Sequence, residues 1–492
     1  MALNTIVLDG ATLMPAGVDA VARHGAPVEL APSARARNEA AREAIDAMLA
    51  RGAPLYGAST GVGALRDRTI GDADRERFQW NLLRSHAVSA GRPLAPELVR
   101  AGMVVRANQL GAGGAGVAPT LLDALITALN AGVTPVTREF GSLGTGDLPA
   151  LAEIALALVG EGQVWRGREL VDAPAPAQLP RLGLRDALGF MSSNAVTAGH
   201  AALLSVEARR LQGRWLEVAA LSFEALDADP GVLDERVQAA RGGRGQAEVA
   251  RRLRVLLAGA TFEPRGPDRL VQDPYPFRVL PQVDGVGRDA LDRLDEVLAR
   301  ELNARPENAL IDDGRALPTG NFHAADLAAG LDAVRAAFAH SASLIAGRVS
   351  AILDPRMSGL SPFLAADPGP DSGHMMLEYT AQAAAVEIRS LATPMAVQSV
   401  WASLGVESHA SLAATAASRT AEMLRAMDVL VATELVVAVR ALGVAARIPG
   451  GAGTRALFDA AANALPGGTE DRAFGHDVEA ARRLLRGSFS TA

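Results

Sequence analysis

The chain has 492 residues, of which 49% are hydrophobic and 21% charged, and its formal net charge is −7. It contains no cysteine and no lysine, so all 48 basic residues are arginine. These absences exclude thiolate nucleophiles, disulfides, cysteine-ligated zinc and lysine Schiff bases, and we expect no metal site. The acidic balance argues against nucleic acid or an anionic membrane as the main partner.

Apolar residues at three-and-four spacing predict long helices over residues 34–50, 198–211, 288–302, 324–353, 376–391 and 410–442. Short alternating patterns predict strands at 5–8, 164–165 and 169–170. Several helices are apolar on nearly every face, which indicates burial in a bundle or an oligomer. We therefore predict a mainly α protein with a small mixed N-terminal region, divided along the chain into residues 1–190, 191–445 and 446–492.

The chain shows no pattern typical of export or of membrane insertion. The first ten residues have neither a basic segment nor a long apolar segment, so no signal peptide is predicted. The most apolar late stretch, 429–448, is interrupted by Glu434, Arg440 and Arg447, which favours a buried helix over a membrane span. We expect a cytoplasmic protein.

Two glycine-rich clusters interrupt the helical background. Residues 56–63 predict an irregular loop beside Tyr56, which can act as an acid or a base or can be a core tyrosine in a tight turn. In residues 141–148, Asp147 can cap a helix. Alternatively, the Gly146 nitrogen attacks the Gly144 carbonyl, and loss of the Thr145 hydroxyl as water leaves an electrophile.

Two further clusters carry aromatic and polar side chains. Residues 272–278 hold Tyr275 between two prolines that restrict it, and Arg278 can bind a substrate carboxylate or pair with Asp273. Residues 320–323 come directly after a turn. They contain an amide side chain, Asn321, an aromatic ring, Phe322, and an imidazole, His323. A lone histidine of this kind is more often structural than catalytic.

Taken together and in chain order, these clusters resemble the aromatic amino acid lyase family, which contains histidine, phenylalanine and tyrosine ammonia-lyases and related aminomutases. The resemblance runs from roughly residue 5 to residue 445. Its motifs are residues 56–63, Asn81-Leu82-Leu83-Arg84-Ser85-His86, Arg106-Ala107-Asn108, residues 141–148, 272–278 and 320–323, and Glu407-Ser408-His409.

The resemblance implies a mostly helical homotetramer whose active sites combine loops of three subunits. It implies that Tyr56 is the catalytic base, that Tyr275 is the second catalytic tyrosine and that Arg278 holds the substrate carboxylate. The other substrate-binding residues that it implies are His86 at the ring-selectivity position, Phe322, Glu407, Gln282 and Asn321. Family members build a methylidene-imidazolone electrophile from an Ala-Ser-Gly loop.

The sequence departs from the family pattern at this electrophile. Gly144-Thr145-Gly146 replaces the triad in a loop that is one residue shorter, and the methyl group of Thr145 would hinder attack on the alkene. Met191 occupies the position of an asparagine that hydrogen-bonds the prosthetic group in the family, and methionine cannot donate such a bond. The favoured interpretation is a lost or remodelled electrophile with the acid/base pocket retained and no external cofactor.

Three hypotheses follow from the sequence. The first is an enzyme that uses Tyr56 and Tyr275 on a small carboxylate-bearing substrate for elimination, isomerisation, hydration or cyclisation. The second is an ammonia-lyase or aminomutase, histidine-like in view of His86, with an electrophile formed from Gly144-Thr145-Gly146. The third is a non-catalytic homologue that binds ligands or partners.

Overall fold

Helices dominate the computed structural model, which describes residues 3–174, 182–263 and 272–487. Within these residues the α-helices, α1 to α18, are Pro15–His24, Pro32–Ala50, Arg75–His86, Pro96–Gly111, Pro119–Asn130, Leu148–Leu158, Asp186–Met191, Ala195–Leu226, Glu235–Ala239, Arg244–Leu256, Tyr275–Arg278, Leu280–Glu301, Ala325–Leu353, Pro355–Ser358, Met375–Leu391, Ala413–Val444, Ala452–Ala464 and Gly475–Gly487. Five short 3₁₀ turns join them, at Gly63–Leu65, Asp72–Asp74, Pro230–Leu233, Pro362–Leu364 and Ser403–Gly405.

The strands are short and form four small sheets. Strands β1 to β9 are Ile6–Leu8, Val28–Leu30, Ala90–Pro93, Thr134–Pro135, Arg138–Phe140, Gln163–Arg166, Glu169–Asp172, Leu310–Asp312 and Arg315–Leu317. Strands β1 and β2 pair in parallel, with Ile6 opposite Val28, whereas the other pairs are antiparallel. The three-stranded sheet has the order β4-β6-β7. The mainly α prediction is thus confirmed, and the predicted strands are found.

All six predicted long helices are present, but two of them are much longer than predicted. Helix α8 continues past residue 211 to Leu226, and α12 begins at Leu280 rather than at 288. Proline is tolerated in the first turn of a helix, because its missing N–H would have no partner there, and Pro281 therefore does not prevent the early start of α12. Tertiary burial, which periodicity alone does not reveal, stabilises the added turns.

The chain forms two compact units, each assembled from separated segments. The first contains Met1–Val206, Leu294–Leu331 and Pro394–Ser418, and the second contains Glu207–Arg293, Asp332–Thr393 and Arg419–Ala492. The predicted regions 1–190, 191–445 and 446–492 are continuous stretches, so they do not coincide with these units.

The long helices are core elements. In the second unit the rings of Trp215 and Phe338 pack edge to face, 4.8 Å apart, and the buried Arg348 guanidinium forms two hydrogen bonds of 2.6 and 2.9 Å with Glu434. Among the described helices, Ala325–Leu353 alone is long and apolar enough to cross a membrane, and 61% of its apolar window is buried. Such burial is typical of a core helix in a soluble protein. The predicted buried helix over 429–448 is found within α16, up to Val444.

Candidate active site

The first unit contains most of the predicted site residues, beginning with Tyr56. The phenol oxygen of Tyr56 accepts a hydrogen bond of 2.9 Å from the Gly63 N–H, so the loop folds back on its own tyrosine. Gly57 has a φ of 74°, and a side chain there would overlap Leu188, which explains why glycine occupies this position. The Gln79 amide donates to the Gly57 carbonyl at 3.1 Å and fixes the loop from helix α3.

The loop at 141–148 is held by hydrogen bonds to its backbone. The Gly144 carbonyl accepts from the Ser411 hydroxyl at 2.9 Å and from the Ala324 N–H at 3.3 Å. The Gly146 N–H donates to the Asn194 side-chain oxygen at 3.0 Å, and the Asn194 amide donates to the Phe322 carbonyl. Both backbone groups that would have to react in a cyclisation therefore have hydrogen-bond partners.

Gly144 and Gly146 adopt backbone conformations that residues with a side chain rarely adopt. Their φ angles are 82° and 102°. A Cβ atom at Gly144 would overlap the Ser411 hydroxyl. The first position of the Gly144-Thr145-Gly146 triad therefore favours glycine over alanine.

Asp147 precedes helix α6, as the capping interpretation predicted, but its side chain makes no cap hydrogen bond to that helix. Its carboxylate instead accepts from the Thr197 N–H at 2.7 Å and the Thr197 hydroxyl at 2.8 Å, in the first turn of α8, and from the Ser142 hydroxyl at 2.5 Å. Burial raises the pKa of Asp147, and these hydrogen bonds oppose the rise. The capping rule considers only the residues next to a helix start, so it could not identify Thr197, which lies fifty residues further along the chain, as the partner of Asp147.

Glu407 lies close to both the loop and a histidine. The Thr145 hydroxyl is 3.5 Å from a Glu407 carboxylate oxygen. Burial lowers the pKa of His86, while the Leu82 carbonyl, 2.8 Å from Nδ1, and the Glu407 charge raise it. A proton on Nδ1 satisfies the Leu82 carbonyl and leaves Nε2 free to accept a hydrogen bond.

The other predicted residues of this unit occupy different environments. Met191 is wholly buried at the end of α7. Asn321 is exposed, and its side chain donates to the Arg305 carbonyl at 3.3 Å. Phe322 takes part in the loop contacts through its carbonyl, and the adjacent His323 Nε2 lies 2.9 Å from His409 Nδ1.

Three predicted residues belong to the second unit. Tyr275 and Arg278 are the first and last residues of the short helix α11, and the guanidinium lies 5.3 Å from the centre of the Tyr275 ring. Tyr275 is 67% exposed in the isolated chain. The Gln282 side-chain oxygen is buried without a hydrogen-bond partner among the described residues.

Sequence reasoning missed Asn194 and Ser411, which hold the 141–148 loop, and gave Asp147 a capping role rather than its contacts with Thr197 and Ser142. Asn194 directly precedes a helix, where asparagine is a common cap. Its position in the sequence therefore did not indicate a contact with Gly146. Ser411 comes two residues after the Glu407-Ser408-His409 motif and carried no indication of its own.

Residues 13–463 match the sequence model of the aromatic amino acid lyase family. This chain belongs to that family. It is 37% identical over 494 residues to a histidine ammonia-lyase from Geobacillus thermodenitrificans, covering 98% of this chain and 97% of the relative. It is also 37% identical over 502 residues to a histidine ammonia-lyase from Anaeromyxobacter dehalogenans, covering 98% and 99% of the two chains.

Solved structures of family members have the same fold. An ergothioneine-degrading enzyme from Treponema denticola matches with a TM-score of 0.93 at 27% identity, covering 98% of this chain and 99% of that one. A tyrosine aminomutase from Streptomyces globisporus matches with a TM-score of 0.93 at 27% identity, covering 98% and 97%. The predicted ammonia-lyase fold and enzyme class are confirmed.

Proposed function

We propose that this family member transfers protons on a small, carboxylate-bearing, amino-acid-like substrate, using Tyr56 and Tyr275 and neither a methylidene-imidazolone group nor an external cofactor. The reaction is an elimination, an isomerisation or a cyclisation. The observation that carries the proposal is the hydrogen-bonded Gly144-Thr145-Gly146 loop, in a chain that retains Tyr56. The cytoplasmic location expected from the sequence belongs to the same proposal.

Three features support a chain without the backbone electrophile. The Gly146 N–H donates to Asn194 and the Gly144 carbonyl accepts from Ser411, so the two groups that would have to react are held by other partners. Met191 has no side-chain N–H to donate to a prosthetic group. Gly144 has no room for the alanine of the family triad. The residues present therefore do not fit the group, and no step of the proposed reaction depends on it.

Tyr56 is suited to proton transfer by its hydrogen bond. The Gly63 N–H donates to the phenol oxygen at 2.9 Å and fixes its position in the loop. The oxygen can then accept a C–H proton from the substrate carbon adjacent to the departing or migrating group. Because the N–H is a fixed backbone donor, it needs no rearrangement during the reaction.

We assign substrate binding to the remaining predicted residues. Arg278 binds the carboxylate, since a guanidinium offers two parallel donors, and Tyr275 lies beside it as the second acid/base group. His86 and Glu407 contact the substrate side chain or its amine. Asn321, Phe322 and Gln282 line the binding site.

The assembly that we propose is a homotetramer with shared active sites. In the isolated chain, Val397 is 83% exposed, Trp401 79% and Leu404 95%. Large apolar side chains clustered in one exposed segment indicate an interface, and the family resemblance indicates which partner covers them, namely further copies of this chain. Native mass spectrometry should show four chains per particle, and replacing Leu404 with glutamate should reduce that number.

Hydrogen exchange in D₂O tests the chemistry before the net reaction is identified. Histidine, phenylalanine, tyrosine, ergothioneine and their α,β-unsaturated acids are incubated with enzyme, and NMR follows exchange of carbon-bound protons. We expect exchange with at least one compound, and its loss in the variant Tyr56→Phe. Unchanged exchange in Tyr56→Phe would contradict the assignment of the base, while Tyr379→Phe, at an exposed helical tyrosine, is the matched control.

A second candidate function is that of a histidine-type ammonia-lyase with an electrophile from Gly144-Thr145-Gly146. The support for it is the 37% identity to histidine ammonia-lyases and the His86 imidazole, whose Nε2 is free to accept a hydrogen bond. It requires cyclisation of the chain, which makes the protein lighter by two water molecules. The non-catalytic alternative has less support, because Tyr56, Tyr275, Arg278 and Glu407 are all retained.

A further inference from the structure

Two histidines that have no role in the proposed acid/base chemistry are in contact in the first unit. His323 Nε2 lies 2.9 Å from His409 Nδ1, and the ring centres are 5.0 Å apart with the ring planes tilted by 33°. Ring nitrogens approach this closely when one of them donates its proton to the lone pair of the other. The contact is therefore a hydrogen bond between side chains that are 86 positions apart in the chain.

The two histidines belong to connecting segments of the chain. His323 lies in the β9–α13 connection, residues 318–324, and His409 lies in the pre-α16 segment, residues 406–412, which follows a 3₁₀ turn. Connecting segments lack the repeating backbone hydrogen bonds of helices and sheets, so individual contacts decide where they lie. A hydrogen bond between the two segments can therefore fix one relative to the other.

Both segments donate to the same carbonyl group, that of Gly144. The Ala324 N–H, directly after His323, donates to it at 3.3 Å. The Ser411 hydroxyl, two residues after His409, donates to it at 2.9 Å. The histidine pair thus joins the two segments next to the groups that hold the Gly144 carbonyl.

The pre-α16 segment also contacts the 141–148 loop on either side of Gly144. The Leu412 N–H donates to the Leu143 carbonyl at 2.9 Å. A carboxylate oxygen of Glu407 lies 3.5 Å from the Thr145 hydroxyl. A shift of this segment would therefore change contacts along the loop and not only at a single atom.

We propose that His323 and His409 are positioning residues. Their hydrogen bond holds the β9–α13 connection and the pre-α16 segment together, and it keeps the Gly144 carbonyl between its two donors. It also fixes the separation of Phe322 and Glu407, which neighbour the two histidines and are the proposed substrate contacts. This consequence for substrate binding rests on the proposed function, whereas the effect on the loop does not.

Hydrogen–deuterium exchange mass spectrometry of the full chain, without substrate, tests the link between the segments. In His323→Ala, the Leu412 amide, which lies in the other segment, should exchange about two- to tenfold faster, as expected for the loss of one hydrogen bond. In His409→Ala, the Ala324 amide should exchange faster by a similar factor. Unchanged exchange of the amide in the other segment would overturn the proposal.

Conservative variants separate the hydrogen bond from the bulk of the ring. His323→Gln keeps an amide near the Nε2 position and His409→Asn keeps one near Nδ1, so both variants should exchange at close to the wild-type rate. The double alanine variant should exchange no faster than either single variant, because both substitutions remove the same contact. His340→Ala, at an exposed position of α13, is the control. Amide variants as fast as the alanine variants, or additive effects in the double variant, would contradict the positioning role.

The amide measurement and the substrate measurement can fail separately. Amide exchange is recorded on the resting protein and requires no reaction, whereas hydrogen exchange into substrates by the wild-type chain and Tyr56→Phe tests the proposed function. Loss of the effect between the segments would therefore overturn the positioning role alone.

Discussion

At the scale of single residues, the candidate site depends on a few charges and on one glycine. Glu407 lies beside Thr145 and acts electrostatically on His86, which links the 141–148 loop to His86. Gly144 accommodates a φ of 82° against the Ser411 hydroxyl. Substitutions at these positions should therefore have specific and measurable effects.

The variant Glu407→Gln should lower the pKa of His86. The Glu407 carboxylate favours the charged imidazolium and so opposes the effect of burial, which lowers the pKa of His86. Replacing the carboxylate with a neutral amide removes that opposition. An NMR titration of the imidazole protons measures the change, and Glu235→Gln, which substitutes an exposed carboxylate paired with Arg254, is the control. A pKa that rises or stays constant would contradict the assigned contact.

The variant Gly144→Ala should destabilise the protein by about 2 kcal/mol or more, because it combines an unfavourable backbone conformation with a steric overlap. Gly132→Ala is a matched control, since Gly132 has a φ of 70° but no neighbouring atom within 4 Å, and it should cost only about 1 kcal/mol. Chemical denaturation measures both. Equal losses in the two variants would show that Ser411 imposes no constraint.

At the scale of elements, Asp147 connects the 141–148 loop to the start of a long helix. Its carboxylate accepts from the Thr197 N–H and hydroxyl in the first turn of α8, where negative charge is favoured by the helix dipole. The loop conformation and the helix start are therefore stabilised by the same side chain.

The variant Asp147→Ala should lower the free energy of unfolding by about 2–4 kcal/mol, because it leaves three donors without a partner in a buried site. Asp123→Ala removes a carboxylate whose ion pair with Arg35 is largely exposed and should cost less than about 1 kcal/mol. Urea denaturation compares the two variants. A small effect at Asp147 would indicate that water replaces its contacts.

The sequence predicted the elements better than it predicted their contacts. Apolar periodicity identified the long helices, since that pattern is local, whereas Tyr56 and Arg278 as site residues stay predictions from the order of motifs. The contact between Asn194 and Gly146 joins residues 48 positions apart, and that between Ser411 and Gly144 joins residues 267 positions apart. Such contacts depend on how helices pack, which no local pattern encodes.

At the scale of the whole molecule, buried charges should make stability depend on pH. Burial raises the pKa of Asp284 to about 6 from an ordinary 3.8, against the opposing charge of Arg348. The folded state thus favours the protonated carboxyl. This contribution to stability is complete below about pH 4 and is lost as the pH rises through about 6.

The variant Asp284→Asn should remove that part of the pH dependence. The difference of about two pKa units corresponds to about 3 kcal/mol, which the wild-type chain loses from this group between pH 4 and pH 7. Urea denaturation of both proteins at the two pH values measures it. A parallel pH dependence in wild type and variant would show that Asp284 is not the responsible group.

If this family member works without a backbone-derived electrophile, intact-mass spectrometry of the purified protein should give the mass of the unmodified chain. After proteolysis, the peptide that contains Gly144-Thr145-Gly146 should also be unmodified. A mass lower by two water molecules, located in that peptide, would contradict this expectation.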